Sequence, residues 1–108
     1  TKVRHGDRDV EVSVPDVDKY KDATPILVDD IISTARTMIE TVVHLKKAGM
    51  RPPICVGIHA VFSGNAYQDL LDSGVEKIVT CNTIPHPSNG IDLSDILAKE
   101  VKKLMRHI

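Results

Sequence analysis

Two adjacent carboxylates, Asp29 and Asp30, are the strongest candidates for chemistry in this chain of 108 residues. They follow an apolar run at residues 26–28, and small and hydroxylated side chains at residues 31–37 lead from them into a helical pattern. Carboxylates accept hydrogen bonds from sugar hydroxyls or bind a divalent cation. A turn at a helix N-terminus presents backbone N–H groups to a phosphate. The segment therefore predicts a binding site for a sugar phosphate.

The elements that would position this site are visible in the apolar pattern. Alternating apolar and polar residues at 9–14 predict a strand with one wet face at a sheet edge. Uniformly apolar runs at residues 26–28, 54–62 and 78–81 predict buried strands, the first of them covered on both faces. Residues 83–90, with two prolines, predict a loop.

Three helices are predicted between and after these strands. The first covers residues 35–48, is stopped by Gly49 and has a buried apolar stripe. The second is short, is capped by Ser63 and ends at Gly74, and the third begins at Ser94 and runs to residue 107. The apolar stripes of the first and third helices are Met38, Ile39, Val42 and Leu45, and Leu97, Val101 and Leu104.

Strands that alternate with helices predict one α/β domain. Its sheet would be mostly parallel, with helices on both faces in three layers and an added edge strand near the N-terminus. Ligands of such sheets bind beyond the carboxyl ends of the strands, where Asp29 and Asp30 are expected. Position and chemistry agree at this segment.

Composition limits the partners of the chain. The net charge of −1 argues against a nucleic-acid surface or a membrane surface, and no apolar run approaches the length of a membrane span. Cys55 and Cys81 lie in apolar strand-like runs, which favours buried reduced thiols in a cytoplasmic protein. The polar start without Met suggests a piece of a larger protein.

Several segments resemble one enzyme family. Residues 28–37 resemble the phosphoribosyl-pyrophosphate binding motif of type I phosphoribosyltransferases and their relatives. Residues 57–66 and 79–85 are similar to the C-terminal half of ribose-phosphate pyrophosphokinases, also called phosphoribosyl-pyrophosphate synthetases. Residues 94–104 resemble the last helix of that family. Residues 2–8 resemble the end of its catalytic flexible loop, in a Lys-x-Arg form.

The resemblance implies a two-domain enzyme of which residues 1–108 form most of the second domain. The full enzyme would transfer pyrophosphate from ATP to ribose 5-phosphate with Mg²⁺ and would assemble as a homo-oligomer, while the isolated fragment would be inactive. By the same resemblance, Asp29 and Asp30 bind the 2- and 3-hydroxyls of the ribose, with Mg²⁺ as a further ligand. Lys2 and Arg4 reach over the ATP phosphates. The residues implied in holding the 5-phosphate are Ser33, Thr34, Ala35, Arg36 and Thr37.

The motif departs from the family at Ala35 and Arg36, where many relatives carry Gly. We expect Ala35 to fit with a negative φ, since a positive φ favours glycine. The departure keeps a non-catalytic regulatory subunit of the same family open, and a type I phosphoribosyltransferase is the other alternative. His59 and Ser63 could be read as a nucleophile pair, but no orienting acid is near in sequence, so His59 is interpreted as a satisfied strand-end side chain.

Overall fold

The computed structural model describes residues 20–106 in full and residues 2–5 and 9–12 by their backbone. Strands β1 (Lys2–His5) and β2 (Asp9–Val12) pair antiparallel as a sheet of their own. The predicted N-terminal strand is therefore present, but it pairs with β1 and does not lie at the edge of the main sheet. Because β1 and β2 are close in sequence, their antiparallel pairing requires little loop-closure entropy.

The main sheet has four strands in the order β3-β4-β5-β6, and every neighbouring pair is parallel. Its strands are β3 (Ile26–Ile32), β4 (Ile54–Ala60), β5 (Lys77–Cys81) and β6 (Asn89–Ile91). The α/β class with a mostly parallel sheet is confirmed. The short strand β6 was not predicted, because its three residues lie in a segment whose prolines and glycine indicate a loop.

Within the described residues, three helices accompany the sheet: α1 (Arg36–Lys47), α2 (Ala66–Asp72) and α3 (Ser94–Met105). Helices α1 and α2 contribute to one hydrophobic core with the strands, as right-handed crossovers between successive parallel strands require. The predicted stripe of α1 is confirmed, with Met38, Val42 and Leu45 buried. The buried residues of the core are Ile32, Ala35, Met38, Val42, Cys55, Ala66, Leu70 and Ile78.

Close packing between β3 and β4 depends on a glycine. A Cβ atom built on Gly57 would lie 2.5 Å from Cδ1 and 2.7 Å from Cγ1 of Ile32. The missing side chain of Gly57 thus makes room for Ile32, which is fully buried. This contact lies three residues before the end of β4, directly beneath the segment that carries the candidate site.

Two packing predictions are wrong. Ile26 and Val28 of β3 are 61% and 69% exposed, so β3 is not covered on both faces by the described residues. Leu97, Val101 and Leu104 of α3 are exposed as well, and α3 has no buried residue. The apolar pattern marks both surfaces for burial, but no described element packs over them.

The two cysteines are buried free thiols, as predicted. Burial raises the pKa of the Cys55 thiol to about 11, because the thiolate loses its hydration. Among the described residues, no helix is both long enough and apolar enough to cross a membrane.

Candidate functional site

The two carboxylates lie inside β3 and not after it. Pairing of β3 with β4 continues to Ile32, which lies opposite Ala60. The sequence prediction that the strand ends at the carboxylates is therefore wrong by several residues, because β4 supplies backbone partners beyond the apolar run. The turn to α1 starts at Ser33, one residue after β3 ends.

Each carboxylate uses one oxygen to accept the N–H of the next residue. Oδ1 of Asp29 accepts the N–H of Asp30, and Oδ1 of Asp30 accepts the N–H of Ile31, both at 2.8 Å. These bonds fix the orientation of both side chains and leave Oδ2 of each carboxylate outside the two bonds. Both residues are exposed, so the second oxygens can accept hydrogen bonds from a ligand.

The groups around Asp30 lower the pKa of its carboxyl. The pKa of Asp30 is lowered, first by its hydrogen bond with the Asp29 carboxyl and then by the N–H of Ile31. Hydrogen bonds to a carboxylate favour its ionised form. Asp30 therefore offers an anionic acceptor suited to sugar hydroxyls or to a cation.

The turn after β3 has a backbone conformation that differs from the one predicted from the sequence. Ala35 has φ 61° and ψ 11°, the left-handed conformation, so the expectation of a negative φ is wrong. Its carbonyl oxygen nevertheless accepts the N–H of Ile39 at 2.8 Å, which begins α1. A left-handed residue at this point turns the chain sharply between strand and helix, which explains why glycine suits the position in relatives that have it.

The N-terminus of α1 has no side-chain cap. Ala35 at the N-cap position cannot provide one, and the first turn carries no acidic residue. Thr34 Oγ1 lies 3.4 Å from the N–H of Arg36, a long contact. The first N–H groups of α1 thus lack strong protein acceptors among the described residues, an arrangement that favours binding of an anion.

One cleft brings most of the predicted residues together. It has a volume of about 140 Å³ and is lined from Asp29 on β3 to Met38 in the first turn of α1. The lining includes all five residues of the predicted phosphate-binding segment, while Asp30 lies outside it. Its full lining is Asp29, Ile31, Ile32, Ser33, Thr34, Ala35, Arg36, Thr37 and Met38.

The two predicted catalytic cations cannot be assigned contacts. Lys2 and Arg4 belong to β1, but their side chains lie outside the described part of the structure. Their contribution to the site stays a prediction.

A neighbouring turn borders the site and was not predicted as part of it. After β4, Phe62 has φ 39° and donates its N–H to the carbonyl oxygen of Ile32 at 2.8 Å. Ser63 donates its N–H to the carbonyl oxygen of Ser33 at 3.0 Å. The predicted role of Ser63 as a helix cap is wrong, since Asn65 occupies the N-cap position of α2. Gly64 after Ser63 was the sequence signal for a turn here.

His59 is satisfied at the end of β4, as interpreted from the sequence. Its Nδ1 lies 2.7 Å from Oγ1 of Thr83, in the loop after β5. Thr83 in turn donates to the carbonyl oxygen of Ile58 at 3.3 Å. The structure therefore pairs His59 with a threonine of the next loop, which gives no support to a nucleophile pair with Ser63.

The donor set fits a magnesium ion only as a partial site. Among the described residues, no group of three or more His, Cys, Asp or Glu side chains could enclose a metal. Asp29 and Asp30 offer two carboxylates, and Mg²⁺ in phosphate-binding sites typically uses one or two carboxylates together with waters and substrate phosphates. The residues present fit a magnesium ion whose other ligands come from a substrate.

The parallel sheet, the left-handed turn after β3 and the uncapped start of α1 are features of a phosphoribosyl transferase fold. The chain belongs to the phosphoribosyl transferase domain family, whose sequence profile matches residues 1–95.

Two curated relatives have the same name. The chain is 42% identical over 79 residues to "Ribose-phosphate pyrophosphokinase" of Sulfurisphaera tokodaii, covering 73% of this chain and 27% of that protein. It is 32% identical over 103 residues to the protein of the same name from Methanopyrus kandleri, covering 95% of this chain and 35% of that protein. The chain thus spans about a quarter to a third of the length of these relatives.

A solved structure has the same fold. The crystal structure of phosphoribosylpyrophosphate synthetase from Mycobacterium smegmatis superposes with a TM-score of 0.72 at 24% identity. The match covers 96% of this chain and 36% of that chain. The likeness confirms the arrangement of strands and helices.

Proposed function

We propose that this chain is the ribose-5-phosphate-binding part of a ribose-phosphate pyrophosphokinase. The whole enzyme would transfer pyrophosphate from ATP to ribose 5-phosphate. The cleft between β3 and α1 carries this proposal, because it joins the carboxylate of Asp29 to the uncapped N-terminus of α1. The shared name of the curated relatives supports the same reaction.

Each end of the cleft suits one end of the sugar phosphate. The 5-phosphate would accept hydrogen bonds from the first N–H groups of α1 and from the hydroxyls of Ser33, Thr34 and Thr37, all of which line the cleft. The ribose hydroxyls would donate to the outer oxygens of Asp29 and Asp30. The turn therefore binds the anionic group and the strand binds the neutral polyol.

The cations required for pyrophosphoryl transfer would come from outside this cleft. Lys2 and Arg4 would neutralise charge on the ATP phosphates, which increases on the transferring oxygens in the transition state. A magnesium ion held by Asp29 and Asp30 would supply further charge neutralisation when bound. The residues of the cleft would hold the 1-hydroxyl of the ribose in a fixed position for attack.

Two further properties belong to this proposal. The buried reduced thiols Cys55 and Cys81 support a cytoplasmic location, where thiols are kept reduced. The exposed apolar stripe of α3 supports burial against another part of the assembly, in keeping with a homo-oligomer.

A regulatory subunit that binds the sugar phosphate without turnover is the second candidate. We call residues 33–37 the phosphate turn. The strained Ala35 in this turn is the observation that favours a regulatory subunit, because a family position suited to glycine carries a side chain here. A type I phosphoribosyltransferase would use the same cleft for phosphoribosyl pyrophosphate.

Three measurements on the intact protein separate these functions. Titration with ribose 5-phosphate, followed by amide NMR, should shift the signals of residues 29–37, and unmoved signals would refute the pocket. An assay of AMP release from ATP should then require ribose 5-phosphate. Binding without AMP release would identify the regulatory subunit, and consumption of phosphoribosyl pyrophosphate with a base would identify the transferase.

Lys2→Ala and Arg4→Ala should abolish AMP release while sugar-phosphate binding is retained.

A further inference from the structure

Ser63 lies beside the proposed phosphate turn with a hydroxyl that its own helix does not use. Asn65 is the N-cap of α2, and no side-chain cap bond is present at that helix start. The structure therefore leaves Ser63 available for another role.

Ser63 is hydrogen-bonded to Ser33 through its backbone N–H. The N–H of Ser63 donates to the carbonyl oxygen of Ser33 at 3.0 Å, and the two hydroxyl oxygens lie 3.4 Å apart. Ser33 lines the cleft, whereas Ser63 is absent from its lining. Ser63 thus contacts the ligand site only through Ser33.

The turn that presents Ser63 is held from three sides. Phe62 has the left-handed φ of 39°, and its N–H bonds to the carbonyl oxygen of Ile32. Its ring packs against Tyr67 with centroids 5.1 Å apart and against His86 with centroids 4.6 Å apart. Tyr67 and His86 are themselves 4.6 Å apart, so the three rings close on one another.

His86 is in turn fixed by the loop after β5. Its Nδ1 accepts the N–H of Ser88 at 3.1 Å and lies 2.7 Å from the Ser88 hydroxyl oxygen. The Ser88 hydroxyl also contacts Oγ1 of the buried Thr80 at 2.8 Å. The position of Ser63 is therefore connected to the sheet interior through rings and hydrogen bonds. Backbone strain is kept only where the surrounding structure supports it.

We propose that Ser63 is a positioning residue for the phosphate turn and acts through the hydroxyl and carbonyl of Ser33. This inference rests on the proposed binding of a sugar phosphate in the adjoining cleft. The backbone bond from Ser63 fixes the main chain of Ser33, and the Ser63 hydroxyl donates a hydrogen bond to the Ser33 hydroxyl, whose own O–H then points toward the anion. Ser63 lies in the turn that follows β4. The proposed site is therefore built from the turns after two neighbouring strands, β3 and β4.

The test is a double-mutant cycle on the intact protein, with calorimetric titration of ribose 5-phosphate and, separately, inorganic phosphate. Ser63→Ala should lower the affinity for both ligands about threefold to tenfold, the loss expected for one neutral hydrogen bond. Ser63→Thr, which keeps a hydroxyl, should recover most of the affinity. In a Ser33→Ala background, Ser63→Ala should cause little further loss, because its effect passes through Ser33.

A matched control lies at the other end of α2. Ser73 donates its hydroxyl to the carbonyl oxygen of Leu70 at 2.6 Å, away from the cleft. Ser73→Ala should reduce stability without changing the affinity for either ligand. Amide NMR spectra of all variants confirm that each one is folded.

The outcomes separate the two proposals. If the wild type binds neither ligand, the proposed function is refuted. If the wild type binds and Ser63→Ala binds equally well, only the positioning role is refuted. Fully additive losses in the cycle, or a loss for ribose 5-phosphate without one for inorganic phosphate, would also overturn it.

Discussion

The carbonyl oxygen of Ala35 accepts the N–H of Ile39 at 2.8 Å while Ala35 itself has a left-handed backbone. The first hydrogen bond of α1 thus begins at a residue that is not helical. For a residue with a Cβ atom this conformation costs about 1–2 kcal/mol. Ala35 is also buried in the core, so packing of its methyl group offsets part of the cost.

Ala35→Gly should stabilise the protein. Glycine adopts a positive φ without strain, but the lost packing of the methyl group and the greater freedom of glycine in the unfolded chain both reduce the gain, so we expect at most about 0.5 kcal/mol. Urea unfolding measures the change. Ala66→Gly, at a buried position within α2, is the control and should destabilise. A loss of stability for Ala35→Gly as large as that for Ala66→Gly would contradict the interpretation that the backbone of Ala35 is strained.

Asp29→Asn should weaken ribose 5-phosphate binding more than Asp30→Asn. Only Asp29 lines the cleft, and removal of an ionised acceptor should lower the affinity about tenfold or more. Calorimetric titration measures both variants. Asp69→Asn, an exposed position on α2, is the control and should bind like the wild type. A loss at Asp30 equal to or larger than the loss at Asp29 would contradict a ligand bound in the cleft that Asp29 lines.

Gly57→Ala should destabilise the sheet by about 1–3 kcal/mol, the usual cost of overpacking a core. The reason is the 2.5 Å approach that its Cβ would make to Cδ1 of Ile32. Ile32→Ala removes both Cδ1 and Cγ1, the two atoms that approach the added Cβ, so the double variant should be more stable than the sum of the two single effects predicts. Chemical unfolding of the four proteins tests this, and strict additivity would exclude the contact as the cause.

Asp92 should give the start of α3 a dependence on acid pH. The pKa of Asp92 is lowered, chiefly by the N–H of Ser94, whose bond to Oδ1 is 2.8 Å, and by the Ser94 and Asn82 side chains. A lowered folded pKa means that the stabilisation is complete above the ordinary value of 3.8 and is lost as pH falls through the folded value.

The measurement compares amide exchange at Ser94 and Leu97 in the wild type and in Asp92→Ala. Near neutral pH, the amides of Ser94 and Leu97 should be better protected in the wild type than in Asp92→Ala. This difference in protection should shrink as pH falls below 3.8. Asn82→Ala should raise the pKa of Asp92, which the NMR titration of its carboxyl carbon reports. A constant difference across the range would contradict the assignment.

Much of the fold could be read from local pattern. The stripe of α1 and the strands β4 and β5 follow from apolar spacing, since each element must bury one face. The carboxylates and the hydroxylated turn were recognisable because their chemistry is carried by adjacent residues. The short strand β6 was missed, because a three-residue strand in a segment containing proline and glycine has no periodic signal.

Burial could not be predicted equally well. Leu97 and Val28 belong to patterns that favour burial, but they are exposed because no described element packs over them. The separation of Asp29 from Asp30 at the cleft was also invisible in the sequence. In the folded chain Asp29 lines the cleft and Asp30 does not.

The sequence by itself determined the alternation of β3, β4 and β5 with helices and the polar character of the turn at residues 33–37, because both depend on residues close together along the chain. Only the tertiary structure decided the left-handed backbone of Ala35 and the link between Ser33 and Ser63. Those features depend on partners up to thirty residues apart, whose meeting requires parallel pairing of β3 with β4. Local pattern specifies an element, whereas packing and register decide which side chains and backbone groups face one another.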